Sequence, residues 1–161
     1  MIPEFLSDGL LPKGIHETTW ELFCARFGNS SRKRKELIKK IEVVIKILKE
    51  VGCQEFYIDG SFVSERNRPG DFDACWLRDG VDLSRLNQIA PILKHAPGVF
   101  KGIDCKQKYG GDIFQLSRLV PDPKNPHGRA ITYLEFFQLD KESDGQKGII
   151  LLKLETINLE L

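Results

Sequence analysis

Long apolar runs are missing from this chain. None approaches the roughly 20 residues that span a bilayer. The opening stretch, MIPEFLSDGLLPKGIH, has no basic segment followed by a long apolar one. Neither a membrane span nor a signal peptide is therefore expected, and the expected residence is cytoplasmic. An excess of one charge is missing too. Lys and Arg number 24 and Asp and Glu 23, for a net charge of +1. The molecule is no polycation, and any nucleic-acid contact would need a local patch. Cysteine and histidine are sparse. Cys24, Cys53, Cys75 and Cys105 form no C-x-x-C pair, which argues against zinc. The thiols are expected to be reduced, with three of them packed as small apolar groups. His16, His95 and His127 are scattered and read as surface or loop residues.

What the chain does have is material for a core. It has 161 residues, of which 41% are hydrophobic and 29% charged, as in one soluble globular domain. Residues 1–28 read as an extended arm, rich in Pro and Gly to residue 15, and a short helix, and 29–161 as the core. Thr18-x-x-Glu21 is a candidate capping box, and Trp20, Phe23 and Phe27 share a helical face that ends at Gly28. Asn29-Ser30-Ser31 precedes a longer helix. Its apolar positions are Leu37, Ile38, Ile41, Val44, Ile45 and Leu48, and its stop is Gly52. Arg32, Lys33, Arg34 and Lys35 load its start with positive charge, against the helix dipole. Two readings stay open: a solvated face, or a patch for RNA or an acidic partner.

Strands are expected at 55–59, 71–77 and 112–119, and a helix at 83–94 with Asp82 or Ser84 at its cap and Pro91 distorting it. Residues 61–70 read as loop or a single helical turn, and 97–111 as irregular or containing a helical turn. A Pro-rich surface loop covers 120–129 and carries Lys124, His127 and Arg129. Residues 130–140 and 147–155 flank a polar turn and read as a closing hairpin, whose last strand would suit edge pairing with another chain. Trp20, Phe136 and Phe137 read as core or interface. The expected fold is α+β, a small mixed or antiparallel sheet packed by helices.

Chemistry concentrates in YIDGSFVSERNRPGDFDACW, residues 57–76. Asp71 and Asp73 stand one residue apart, so on a strand both carboxylates project from one face. Two such carboxylates repel unless a cation sits between them, and magnesium does this well. Gly60-Ser61 follows the previous strand directly. Glycine lets a backbone approach a phosphate, and a helical turn there aims N–H groups at an anion. Nine residues separate Ser61 from Asp71, enough to bring the turn beside the carboxylates.

Gly-Ser followed by Asp-x-Asp at this spacing resembles the signature of the DNA polymerase beta-like nucleotidyltransferase superfamily. The chain looks like its minimal single-domain prokaryotic branch, several members of which serve in toxin–antitoxin or phage-defence modules. LPKGIHETTWELFCARFGNSSRKRKEL, the stretch at 57–76 and KGIILLKL look like a little-characterised bacterial group of nucleotidyltransferase-like proteins. The resemblance implies a polymerase beta-like fold and transfer of a nucleoside monophosphate from an NTP to a hydroxyl of a protein or RNA, with release of pyrophosphate. It implies Mg2+, with Mn2+ as a substitute, and an acceptor such as a toxin or antitoxin partner or a tRNA. DNA and membranes are not expected as partners. Asp71 and Asp73 match the first two metal ligands, and Gly60 and Ser61 the phosphate turn. Asp112 is the candidate third carboxylate and catalytic partner, with Glu135 and Asp104 as weaker alternatives.

The chain departs from the pattern at two places. Phe62 and Val63 stand where relatives often carry an arginine or lysine, so Arg66 or Arg68 would have to reach the phosphates. Gly70 stands where a serine often precedes the first aspartate. Lys147, just before the last strand, is a further candidate to face a nucleotide. The competing reading is a non-catalytic module that keeps the fold and holds a protein partner.

Overall fold

The computed structural model describes residues 2–94, 103–140 and 145–159, with backbone alone at 103 and 104. Its strands are β1 (Gly14–Thr18), β2 (Glu55–Asp59), β3 (Phe72–Trp76), β4 (Gly111–Gln115), β5 (Leu119–Val120), β6 (Ile131–Thr132) and β7 (Gly148–Lys153). Its helices are α1 (Trp20–Phe27), α2 (Arg32–Glu50), α3 (Leu83–Ile89), α4 (Pro91–Lys94), α5 (Ile103–Tyr109) and α6 (Tyr133–Phe137). Five strands form one mixed sheet in the order β1-β7-β2-β3-β4, and β5 pairs with β6 in a separate ribbon. β1 runs parallel to β7 and β3 parallel to β4, whereas β2 is antiparallel to both of its neighbours. The protein is thus α+β, a five-stranded mixed sheet packed by helices.

Strand alternation divides the sheet's side chains between two layers. Phe56, Ile58, Phe72, Ala74, Trp76, Ile113, Ile150 and Leu152 join the main core with the apolar stripes of α1 and α2. Tyr57, Cys75, Ile149 and Leu151 belong to a smaller cluster that α6 covers with Phe137. Because α6 has only five residues, it leaves part of this second face open.

Several expectations hold. Ser31 caps α2, its hydroxyl accepting from the Arg34 N–H, and Gly52 follows the helix end with a φ of 88°. Asp82 caps α3. All four cysteines are free, and Cys53, Cys75 and Cys105 are buried. Among the described residues no helix is long and apolar enough to cross a membrane.

Others are corrected. The N-cap of α1 is Thr19, not Thr18, because Thr18 is the last residue of β1. The arm therefore ends in a sheet strand that Gly14 begins, a role its short GIHET run does not advertise. The helix expected at 83–94 is two, broken at Ala90, since Pro91 cannot supply the N–H that would continue it. The helical turn allowed within 97–111 is present and longer than one turn, as α5. The strand expected at 112–119 stops at Gln115, and Leu119–Val120 joins the ribbon.

The closing hairpin shrinks to a single antiparallel bridge, Leu139 to Gln146. Thr132 and Glu135 make a reciprocal capping box, which turns YLEFF into a helix. Nor is the last strand an edge. Gly148 to Leu152 are buried on both faces, and β7 lies between β1 and β2. Its unbroken apolar run is the mark of a central strand. Residues 141–144 of the expected turn, and His95, lie outside the described residues.

Candidate functional site

Register brings the acidic residues together. Asp59 of β2 stands opposite Asp73 of β3, and Asp73 stands opposite Asp112 of β4. Three carboxylates thus lie side by side across three strands, at the end of the sheet that α6 leaves open. Like charges in adjacent cross-strand positions repel. Such a row persists only with cations beside it, and two lysines supply them. Lys147 Nζ lies 3.4 Å from Asp59 Oδ1. Lys106 Nζ, on α5, lies 3.2 Å from Asp71 Oδ2 and 3.4 Å from Asp112 Oδ2.

Asp71 sits just before β3 rather than in it, and Lys106 ties it to Asp112. These contacts raise the pKa of Lys106, the hydrogen bond to Asp71 contributing most. Asp112 is pushed up by burial, which outweighs the opposing pull of Lys106. Its Oδ1 is buried without a hydrogen-bond partner among the described residues.

The Gly60–Ser61 turn borders this row. Gly60 has φ 86° and ψ −164°, a region essentially reserved for glycine. A Cβ at Gly60 would lie 2.6 Å from Asp73 Oδ2. The glycine therefore serves both the turn and the seating of the carboxylate. Ser61–Val63 form one 3-10 turn, as the single helical turn expected there allows.

Two anchors hold that turn. Phe62 is fully buried, its ring 5.8 Å from that of Phe23 and 6.4 Å from that of Phe27 on α1. Burial of such a ring contributes about 1.5–3 kcal/mol. The second anchor is Arg34. Only 2% exposed, it donates to the backbone carbonyls of Phe27, Ser61, Phe62, Ser64 and Arg66. Its guanidinium also lies 5.0 Å from the Phe62 ring centre. The basic run 32–35 is therefore not a patch of four cations. Arg34 turns inward, and Arg32 reaches Glu36 at 3.5 Å.

A cleft of about 750 Å³ opens over the row. Asp59, Asp73, Asp112 and Lys147 face it, with Gly60, Ser61 and Arg66 on one side and Phe114, Phe136 and Phe137 on another. Ser7 to Leu10 of the arm complete the rim, where the Gly9 carbonyl accepts from the Glu65 N–H.

Of the sequence candidates, Gly60, Ser61, Arg66, Asp73 and Asp112 thus meet at one cleft, whereas Asp71 does not line it and is linked to Asp112 by Lys106. Arg68 is exposed and does not line the cleft. Glu135 caps α6, pairs with Arg129 at 3.2 Å and does not line the cleft. The Asp104 side chain lies outside the described residues. His16 Nε2 is hydrogen-bonded to the Pro12 carbonyl, and Lys124, His127 and Arg129 are exposed. Sequence reasoning missed Asp59, Lys106 and the inward turn of Arg34. Asp59 alone had a signal, its place directly before Gly-Ser.

The donor set is all carboxylate oxygen, which suits a hard divalent cation. The buried Asp112 Oδ1 has an acceptor's capacity to spare. Among the described residues no three such side chains already converge on one point, and the Lys106 ammonium lies between Asp71 and Asp112.

No curated protein and no solved structure matches the chain. A family model of unknown function, DUF6932, matches residues 3–153, and the chain belongs to that family.

Proposed function

We propose that the protein is a Mg2+-dependent nucleotidyltransferase with a polymerase beta-like fold. The observation that carries this reading is the carboxylate row set beside the Gly60–Ser61 turn in one open cleft. Asp73 and Asp112, with Asp71 once Lys106 moves aside, would hold magnesium, which neutralises phosphate charge as an oxygen attacks and another leaves. The turn, locked by Arg34 and Phe62, binds the phosphates. Asp112 Oδ1 takes the proton of the acceptor hydroxyl. The acceptor's hydroxyl oxygen forms a bond to the α-phosphorus, the bond from that phosphorus to the α–β bridging oxygen breaks, and pyrophosphate departs. A 750 Å³ cleft is in the range of small-ligand sites.

The acceptor is a protein hydroxyl in preference to an RNA end. Acids outnumber bases among the described residues of the cleft, where Arg66 and Lys147 are the cations. RNA needs the reverse balance. A partner in a toxin–antitoxin or defence module, met in the cytoplasm, fits this role.

The test is incubation with each α-labelled NTP, Mg2+ and cell extract, alongside Asp71→Ala/Asp73→Ala. Label on a protein band, absent with the double variant, is expected. No label with any NTP refutes the reading.

One observation favours a second reading, a non-catalytic binding module: Lys106 already bridges Asp71 and Asp112. Mn2+ titration followed by electron paramagnetic resonance separates the two. Binding by wild type that tightens in Lys106→Met supports the enzyme. Absence of binding in both proteins supports the module.

A further inference from the structure

We infer that Lys147, held by Asp59, is the cation that grips the phosphates of a nucleoside triphosphate at the Gly60–Ser61 turn, an inference that rests on the nucleotidyltransferase reading. An anion at this turn needs positive charge, and the usual positions cannot supply it. Phe62 and Val63 are 0% and 3% exposed and point into the core. Arg34 is committed to backbone carbonyls, and Arg68 lies off the cleft. Arg66 is exposed at the rim.

Lys147 comes from the opposite side of the same corner. β2 and β7 are antiparallel with Ile58 opposite Ile150, so Gly60-Ser61 and Gly148-Lys147 leave the sheet side by side. The Lys147 N–H donates to the Gln138 carbonyl at 2.9 Å, which fixes its backbone. Its side chain is 17% exposed and that of Asp59 4%. Desolvating such a pair offsets most of its attraction, so stability does not account for it. An ammonium carries three donors, and a carboxylate that occupies one side leaves the others for a ligand. Asp59 thus aims the ammonium, and an entering phosphate gives it a second anionic partner.

Titration calorimetry with inorganic tripolyphosphate, in EDTA and in Mg2+, tests this on the full chain. Lys147→Met is expected to weaken binding at least about tenfold, the loss of one charge-assisted hydrogen bond. Lys147→Arg should stay within about threefold of wild type, since it keeps the charge. Lys39→Met, which removes the same charge from an exposed site on α2, should bind like wild type. Lys147→Met removes a cation from beside the buried Asp59 carboxylate, so Asp59→Asn/Lys147→Met, which removes both charges of the pair, is measured in parallel. If that folded double variant binds within about twofold of wild type, the inference is overturned while the nucleotide site stands. If wild type binds neither tripolyphosphate nor any NTP, both readings fall.

Discussion

Arg34→Met removes a guanidinium that ties α2 to the turn at the cleft. Methionine fills the space of the arginine stem but donates no hydrogen bond. The carbonyls of Phe27, Phe62 and Ser64 are buried at these contacts, at 3.0, 2.6 and 2.8 Å from the guanidinium nitrogens. Each buried acceptor left unpaired costs about 1–3 kcal/mol. Those of Ser61 and Arg66 are only partly buried, so water replaces the arginine there. Some of the loss is returned, because a buried cation no longer has to be desolvated. Burial lowers the Arg34 pKa, yet the group stays charged at neutral pH. The net expectation is a loss of about 3–4 kcal/mol, a large share of the 5–15 kcal/mol typical of a domain. At 2–4 °C per kcal/mol, Tm falls by about 10 °C. Urea unfolding followed by tryptophan fluorescence measures the first quantity, since Trp76 is fully buried. Native-state hydrogen exchange measures the local one, with faster exchange expected across residues 60–66. Arg34→Lys should recover less than half of the loss, because one ammonium cannot reach five carbonyls. A loss below about 1 kcal/mol, or unchanged exchange at 60–66, would refute the clamp.

Gly60→Ala should cost about 1–3 kcal/mol by chemical denaturation, because its φ of 86° and ψ of −164° exclude a side chain, and it should also displace Asp73. Asp112→Asn should stabilise the protein at neutral pH. The folded pKa of Asp112 is raised by burial, so its ionised form costs stability above that pKa, and the cost vanishes below the unfolded value near 3.9. Thermal melts from pH 8 to pH 4 should show the variant's advantage shrinking as pH falls, and an advantage that grows with acid contradicts the assignment. Burial pushes Cys53 up to about 12 and Cys105 up to about 11, and it raises Cys75 as well. A thiol reagent at pH 8 should therefore modify these three slowly in the native protein and fast in urea, and rapid native labelling of all four thiols would contradict that packing.

Local patterns in the chain determined most of its elements. Helical periodicity with Ser31 before it and Gly52 after it marked α2, and the Asp82 cap marked α3. Glycine followed by serine, and Asp71 close to Asp73, marked the polar end of the sheet. The Thr132–Glu135 capping box was equally local, but the apolar residues around it read as strand. Tertiary structure decided the rest, because a strand's own residues do not name its neighbours. The row of Asp59, Asp73 and Asp112 exists only through the pairing of β2, β3 and β4. β7 became a central strand when GIHET, near the start of the chain, paired with its far side. A run of four basic residues carries no sign of which one turns inward. Arg34 does so because the loop after Gly60 presents its carbonyls where that side chain is buried. Composition sets how much charge a chain carries, whereas the fold sets which charges lose water, and that loss turned a basic surface residue into the clamp on the candidate site.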